Sequence, residues 1–424
     1  MDLFRVLLVL LLLFSGCSRR NISEDAAPVL SGPDLWETAA GGNVNGGEDL
    51  ATAELASAMA DALDDRRLAA QVIISGIDGR GRLPPHMREL LEECPPGGIM
   101  LFRYNLDSEN DAIQSLISET SQLVSSGGTD EEKTAAAIPP FVSVDHEGGL
   151  VNRFQPGVAD LPPALFYREM AQSKGRESAI VQINSDSFNA GKILSGLGIN
   201  LNFAPVSETL NGNNGDFLEE RSYGPDADFT ARAAAAFIMG MERAGVLCVA
   251  KHFPGSAGTD PHLFPSVLLG DKAALAELTA PFAALIQDGH ARAVMVSHSS
   301  VPAWDSEKIA SLSPAVMGGW LRQELGFAGL VICDDFSMSA AGSGQENGGG
   351  AAGPETAAVQ SLAAGADMVL VWPPDLRRTH RAIQAALGDG RLSRERLRDA
   401  ARRILYEKIK MGLIKEEQAG GNGQ

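Results

Sequence analysis

Residues 245–262 read Gly245-Val246-Leu247-Cys248-Val249-Ala250-Lys251-His252-Phe253-Pro254-Gly255-Ser256-Ala257-Gly258-Thr259-Asp260-Pro261-His262. The stretch has two halves. Val246 to Ala250 is an unbroken apolar run that contains β-branched residues and opens after a glycine, the pattern of a strand buried on both faces. It ends on a cation and an imidazole, and a loop rich in Pro and Gly follows, carrying Asp260 and His262. A hydrophobic core has no use for such an ending. A ligand site at the C-terminal edge of a strand does.

Seven further apolar runs recur on either side, at residues 71–75, 98–102, 141–144, 199–206, 293–296, 330–333 and 368–372. Helical patterns fill most of the gaps, at 112–123, 229–244, 275–287, 314–325 and 356–364, with another from Leu55 through Leu68. Strands alternating with helices pair in parallel, and eight such units predict a single α/β domain of the (β/α)8 TIM-barrel class. The ends of the runs carry Arg103, Asp145, Glu208, Lys251 with His252, His298, and Asp334 with Asp335. A barrel gathers these ends on one face. An open doubly wound sheet is the alternative architecture, but there is no Gly-x-Gly-x-x-Gly turn and no phosphate-binding Gly-x4-Gly-Lys-Ser/Thr loop.

The chain has 424 residues, 44% of them hydrophobic, enough for one large core, and a net charge of −19 that speaks against nucleic acid as a partner. Cys17, Cys94, Cys248 and Cys333 have no metal-ligand spacing, and no metal or organic cofactor is implied. Cys248 and Cys333 fall inside apolar runs and read as buried thiols.

The apolar stretch from Leu3 to Phe14 is too short for a membrane span and fits a signal-peptide core. It ends Phe14-Ser15-Gly16-Cys17, which resembles the lipobox of bacterial lipoproteins, with Cys17 as the lipidated residue. That resemblance implies a protein of the cell envelope, held on a membrane by acyl chains. The expected organisation is a signal peptide at 1–16, a flexible tether at 17–50, the barrel at 51–416 and a disordered tail at 417–424. Residues 125–137 and 340–353 read as low-complexity loops. The basic helical pattern at 393–414 reads as a solvated face.

Several segments resemble glycoside hydrolase family 3, and within it the single-domain bacterial β-N-acetylglucosaminidases. They are Lys251 to Gly255 with Asp260-Pro261-His262; Gly97 to Phe102; Asp145-His146-Glu147-Gly148-Gly149-Leu150-Val151-Asn152-Arg153; Asn200 to Val206; Glu220-Arg221-Ser222-Tyr223-Gly224; and Val331 to Met338. The likeness covers roughly residues 55–415. It implies that Asp334 is the nucleophile, His262 the general acid/base and Asp260 its orienting partner. It also implies that Asp145, Arg153, Arg221, Lys251 and His252 bind the sugar. An extended strand end would turn Asp335 away from Asp334 and leave it structural hydrogen bonds. His298 is expected to line the site without a catalytic role. The chain departs from the family pattern at Leu150, where Arg is usual, and at Ser207-Glu208, where Leu-Asp is frequent; Pro261 stands where Ser is common, in a shortened loop.

The resulting expectation is a retaining exo-β-N-acetylglucosaminidase acting on carbohydrate, a cell-wall or chitin-type oligosaccharide, with the oligomeric state left open. The alternatives are a glycoside phosphorylase of the same family, a β-glucosidase, and a non-catalytic sugar-binding lipoprotein.

Overall fold

The computed structural model describes residues 46–126, 137–258, 260, 264–336 and 353–415. Each apolar run supplies one strand of a closed barrel: β1 Ile73–Gly76, β2 Gly98–Leu101, β3 Phe141–Val144, β4 Leu201–Asn202, β5 Leu247–Phe253, β6 Ala293–Val296, β7 Leu330–Cys333 and β8 Met368–Val371. They follow one another around the ring, each parallel to the next, and β8 closes on β1 through Ile73↔Val369 and Ile74↔Leu370. The runs lack a polar alternation because one face packs into the barrel lumen and the other against helices. Cys248 and Cys333 are buried free thiols, as is Cys94.

Two strands depart from their runs. Of the 199–206 run, Leu201 and Asn202 form the regular strand, and Val206 adds an isolated parallel bridge to Lys251 of β5. The Asn202 side chain brackets the His146 backbone just beyond β3, accepting its N–H at 2.9 Å and donating to its carbonyl at 2.9 Å. Strand β5 is longer than its apolar run, and its register against β6 shifts between Ala250 and Phe253. A bulge of this kind lets neighbouring side chains leave a strict up-down alternation.

The helical expectations hold with local corrections. The segment read as one helix at 275–287 is two, Lys272–Leu278 and Ala280–Gln287, with Pro281 in the first turn of the second, where its missing N–H is tolerated. Residues 315–324 wind as a π-helix. A helix runs Gly46–Ala62, so residues 46–50 of the stretch expected as tether are helical; its Asp49 accepts hydrogen bonds from Tyr406 at 2.9 Å and Lys410 at 3.3 Å. The basic C-terminal helix, Arg394–Lys410, is not simply a solvated face. Arg396 and Arg403 reach the fully buried Asp367 at 2.8 and 3.3 Å and tie the helix to the start of β8. The low-complexity segments at 125–137 and 340–353, like the tail, lie mostly outside the described residues.

Candidate active site

A cavity of about 150 Å³ opens at the C-terminal ends of the strands. Met100 of β2 and Leu370 of β8 form part of its apolar wall. Its polar wall comes from Lys251 and His252 near the end of β5, from residues just beyond β3, β5, β6 and β7, and from the long connection after β4. Each such side chain sits where a buried strand runs out of apolar sequence.

The turn after β3 contributes Asp145, Glu147 and Arg153. Its shape depends on two consecutive glycines with positive φ, Gly148 at 95° and Gly149 at 56°; a Cβ on Gly149 would overlap the Glu220 carboxylate, which accepts the Leu150 N–H at 2.8 Å. That bond docks the connection after β4 onto the turn, and the connection in turn delivers Arg221. Arg221 forms a two-pronged pair with Glu147, its Nε and Nη2 each at 2.8 Å. Lys251 stands between two carboxylates, its Nζ 2.7 Å from Asp145 Oδ1 and 2.7 Å from Glu147 Oε1. Arg153 adds a longer contact to Asp145 Oδ2 at 3.3 Å, while its buried Nε has no protein partner.

Burial alone would push Asp145 and Glu147 up towards protonation, but the cations outweigh it: Lys251 and Arg153 hold Asp145 below the usual carboxylate range, and Arg221 and Lys251 do so more strongly for Glu147. Burial likewise opposes the charge on Lys251, and Asp145 and Glu147 overcome it and raise its pKa. The result is a fixed lattice of full charges whose geometry is set before any ligand arrives, with directional donors and acceptors suited to hydroxyl groups.

His252 lines the same cavity, with Nδ1–H donating to Glu208 Oε1 at 2.7 Å, so Nε2 is the nitrogen left for a ligand. Phe217 leans over both neighbours, 5.0 Å from the Arg221 guanidinium and 6.3 Å from the His252 ring centroid.

Asp334 follows β7 directly and faces the cavity. Its N–H donates to Val296 O at 3.1 Å, and its Oδ1 accepts the Asp335 N–H at 2.9 Å. Asp335 takes the structural part expected of it, accepting the Trp372 indole N–H at 2.6 Å on Oδ2. His298 lines the cavity and is held neutral by burial; its Nε2 faces Asp335 O at 3.0 Å and must carry the proton, so Nδ1 accepts from the Ser311 hydroxyl at 2.7 Å.

The structure therefore brings together Asp334, Asp145, Arg153, Arg221, Lys251 and His252 around one cavity. Asp260 lies on the loop after β5, where its carbonyl accepts the Phe264 N–H at 3.0 Å, and it is not among the cavity-lining residues. His262 and Cys17 lie outside the described residues. Arg103 ends its run on the same face but is exposed at the rim, donating to Asn152 O at 2.8 Å. Two residues of the site received no role from the sequence, although Glu208 ends its apolar run and Glu147 stands inside the Asp145–Arg153 segment. Glu147 is the hub of the ion lattice and Glu208 the partner of His252; the only signal for either was an acid next to a strand end. Among the described residues no group of three or more His, Cys, Asp or Glu side chains is placed to hold a metal ion.

This arrangement, with the carboxylates of Asp145, Glu147 and Asp334 among cations at the mouth of a (β/α)8 barrel, suits a ligand rich in hydroxyl groups. The sequence matches the family described as "Glycosyl hydrolase family 3 N terminal domain" over residues 63–406. The chain belongs to glycosyl hydrolase family 3 and is a glycoside hydrolase. It is 33% identical over 297 residues to a beta-hexosaminidase of Methylococcus capsulatus, covering 68% of this chain and 79% of the relative. Its fold is similar to a family 3 beta-N-acetylglucosaminidase from a Paenibacillus species, with a TM-score of 0.71 and 31% identity over 84% of this chain and 67% of the other. A Neisseria gonorrhoeae structure, in complex with N-trifluoroacetyl-D-glucosamine, has a TM-score of 0.64 at 28% identity, covering 82% of this chain and 94% of that one.

Proposed function

We propose that the protein is an exo-acting, retaining β-N-acetylglucosaminidase that removes terminal β-linked N-acetylglucosamine through a glycosyl-aspartate. The observation that carries the reading is Asp334, a carboxylate on the wall of a small cavity that the Asp145, Arg153, Arg221, Lys251 and His252 side chains also line. The small volume favours one terminal sugar over the middle of a long chain. The choice of sugar is supported by the relatives named beta-hexosaminidase and beta-N-acetylglucosaminidase and by the N-trifluoroacetyl-D-glucosamine complex.

In this reading Asp145, Lys251, Arg221, Arg153 and His252 hold the hydroxyls and fix the ring. An Asp334 carboxylate oxygen attacks the anomeric carbon as the bond to the leaving oxygen breaks, and His262 passes its proton to that oxygen. A water then attacks the same carbon, gives its proton to His262, and releases Asp334 as a carboxylate. Asp260 orients the imidazole, which titrates near working pH and so can serve in both steps. The Asp335 N–H bond to Asp334 Oδ1, at 2.9 Å, fixes the nucleophile's rotamer.

The test is trapping with a 2-acetamido-5-fluoro glycosyl fluoride followed by peptide mapping. Label on Asp334 upholds the reading; label elsewhere, or none with turnover intact, overturns it. The same reading includes a lipid anchor at Cys17, supported by the sequence Phe14-Ser15-Gly16-Cys17. A cell-wall or chitin-type oligosaccharide is the proposed substrate.

A further inference from the structure

We propose that Glu208 is a positioning residue that sets His252 and, in the following loop, Ser256 from one carboxylate, so that sugar binding and leaving-group departure depend on the same side chain. The inference rests on the reading of the site given above and extends it to a residue outside the cavity wall.

Glu208 stands early in the connection after β4 and is 1% exposed. Its two oxygens gather donors from one short segment. Oε1 accepts His252 Nδ1–H at 2.7 Å and the Ser256 hydroxyl at 3.2 Å, with the His252 amide at 3.4 Å; Oε2 accepts the Ser256 amide. Among the described residues its one ion-pair partner is His252. A carboxylate buried this deeply is stable only while those donors stay in place, so it holds them as firmly as they hold it.

The two tethered points have different consequences. His252 faces the sugar. Ser256 is where the backbone leaves for the loop that carries Asp260. Beyond Ser256 the loop's neck is tied again: the Ala257 amide donates to Ser266 Oγ at 3.0 Å, Ser266 and Ser299 share a hydroxyl bond at 2.8 Å, and Ser299 donates to Gly255 O at 2.8 Å. Glu208 thus fixes the neck on the side next to the sugar-binding imidazole. The length of the side chain matters. An aspartate would draw the carboxylate back by about 1.5 Å, one C–C bond, and could not reach both the ring nitrogen and the Ser256 amide.

The experiment uses the full chain with Glu208→Asp, Glu208→Gln, His252→Ala and Asp334→Ala. Two readouts separate the roles: the dissociation constant of N-acetylglucosamine, and the ratio of kcat/KM for the 2,4-dinitrophenyl N-acetylglucosaminide, whose aglycone leaves without protonation, to that for the N-acetylglucosamine disaccharide, whose aglycone does not. His252→Ala is expected to weaken the sugar and, because Ser256 keeps both its bonds to Glu208, to shift the ratio less than Glu208→Asp does. Glu208→Asp is expected to weaken the sugar and also shift the ratio against the disaccharide by about tenfold, the loss of one hydrogen bond to a charged group. Where Glu208→Asp does not fold, Glu208→Gln, which keeps shape and reach but offers one acceptor oxygen, is read in the same way. An unchanged ratio in folded Glu208 variants, with Asp334→Ala inactive, overturns the inference and leaves the site reading intact. Turnover surviving in Asp334→Ala overturns both.

Discussion

Lys408 offers the sharpest test of the packing beneath the barrel. It lies on the helix Arg394–Lys410 and is fully buried at the end opposite the active site; Nζ donates to Gln71 Oε1 at 2.9 Å and sits 5.2 Å from the centre of the Phe141 ring. No carboxylate pairs with it among the described residues, and burial pulls its pKa from 10.5 down to about 7. In the unfolded chain the amine is free to take its proton, so between those two values the unfolded state binds about one proton more than the folded state. Stability therefore rises with pH across that window, by about 1.4 kcal/mol per pH unit. From pH 7 to pH 9 the gain is roughly 2 kcal/mol, or about 3 °C in Tm for a barrel of this length.

Lys408→Met removes the titration and keeps most of the volume. It relieves roughly 4 kcal/mol of desolvation at pH 7 and costs about 1 kcal/mol for the hydrogen bond lost at Gln71. The variant is expected to melt a few degrees higher at pH 7, with the difference fading towards pH 10. Thermal unfolding of both proteins at pH 7, 8 and 9 measures it, and other titrating groups cancel in the comparison. Equal pH slopes for the two proteins, or a variant less stable at pH 7, would refute the reasoning.

Three further outcomes are expected. Arg221→Lys keeps the charge but not the two-pronged pair with Glu147, and should lower kcat/KM about tenfold to a hundredfold, read by steady-state assay; activity within twofold of wild type would contradict the role given to that pair. Gly149→Ala places a Cβ on a backbone with φ of 56° and against the Glu220 carboxylate. It should cost about 1–3 kcal/mol of stability, visible in Tm, and cut activity by disturbing Asp145 and Glu147; an unchanged Tm would speak against it. Cys17→Ala should move the protein from the detergent phase to the aqueous phase on Triton X-114 partitioning; identical partitioning of the two forms would end the lipid-anchor proposal.

Much of the site was legible because a barrel strand buried on both faces must be apolar until it ends. Lys251 and His252 after 246–250, Asp145 after 141–144 and Asp334 after 330–333 therefore announce themselves as polar interruptions. Glu147 does not, and Glu208, although it ends its run, gives no sign of its partner. Nothing local distinguishes an acid that anchors Arg221 and Lys251, or one that holds a ring nitrogen across 44 residues of chain, from an acid facing water. The start of the first helix at Gly46 was hidden for the same reason, since Gly-rich sequence reads as tether and the stabilising contacts from Asp49 come from Tyr406 and Lys410 at the far end of the chain. The arginines of the C-terminal helix looked solvated because their buried partner, Asp367, sits in another unit of the barrel.

The amino-acid sequence by itself determined the number and order of the strands, the parallel barrel and the identity of most charged side chains at its mouth, because period, run length and polar endings are local properties of the chain. The tertiary structure alone decided which charges meet: that Lys251 lies between Asp145 and Glu147, that Arg221 grips Glu147, and that Glu208 reaches both His252 and Ser256. Those pairings depend on closure of the ring, which brings the ends of distant strands within hydrogen-bonding distance and removes the water that would otherwise screen them.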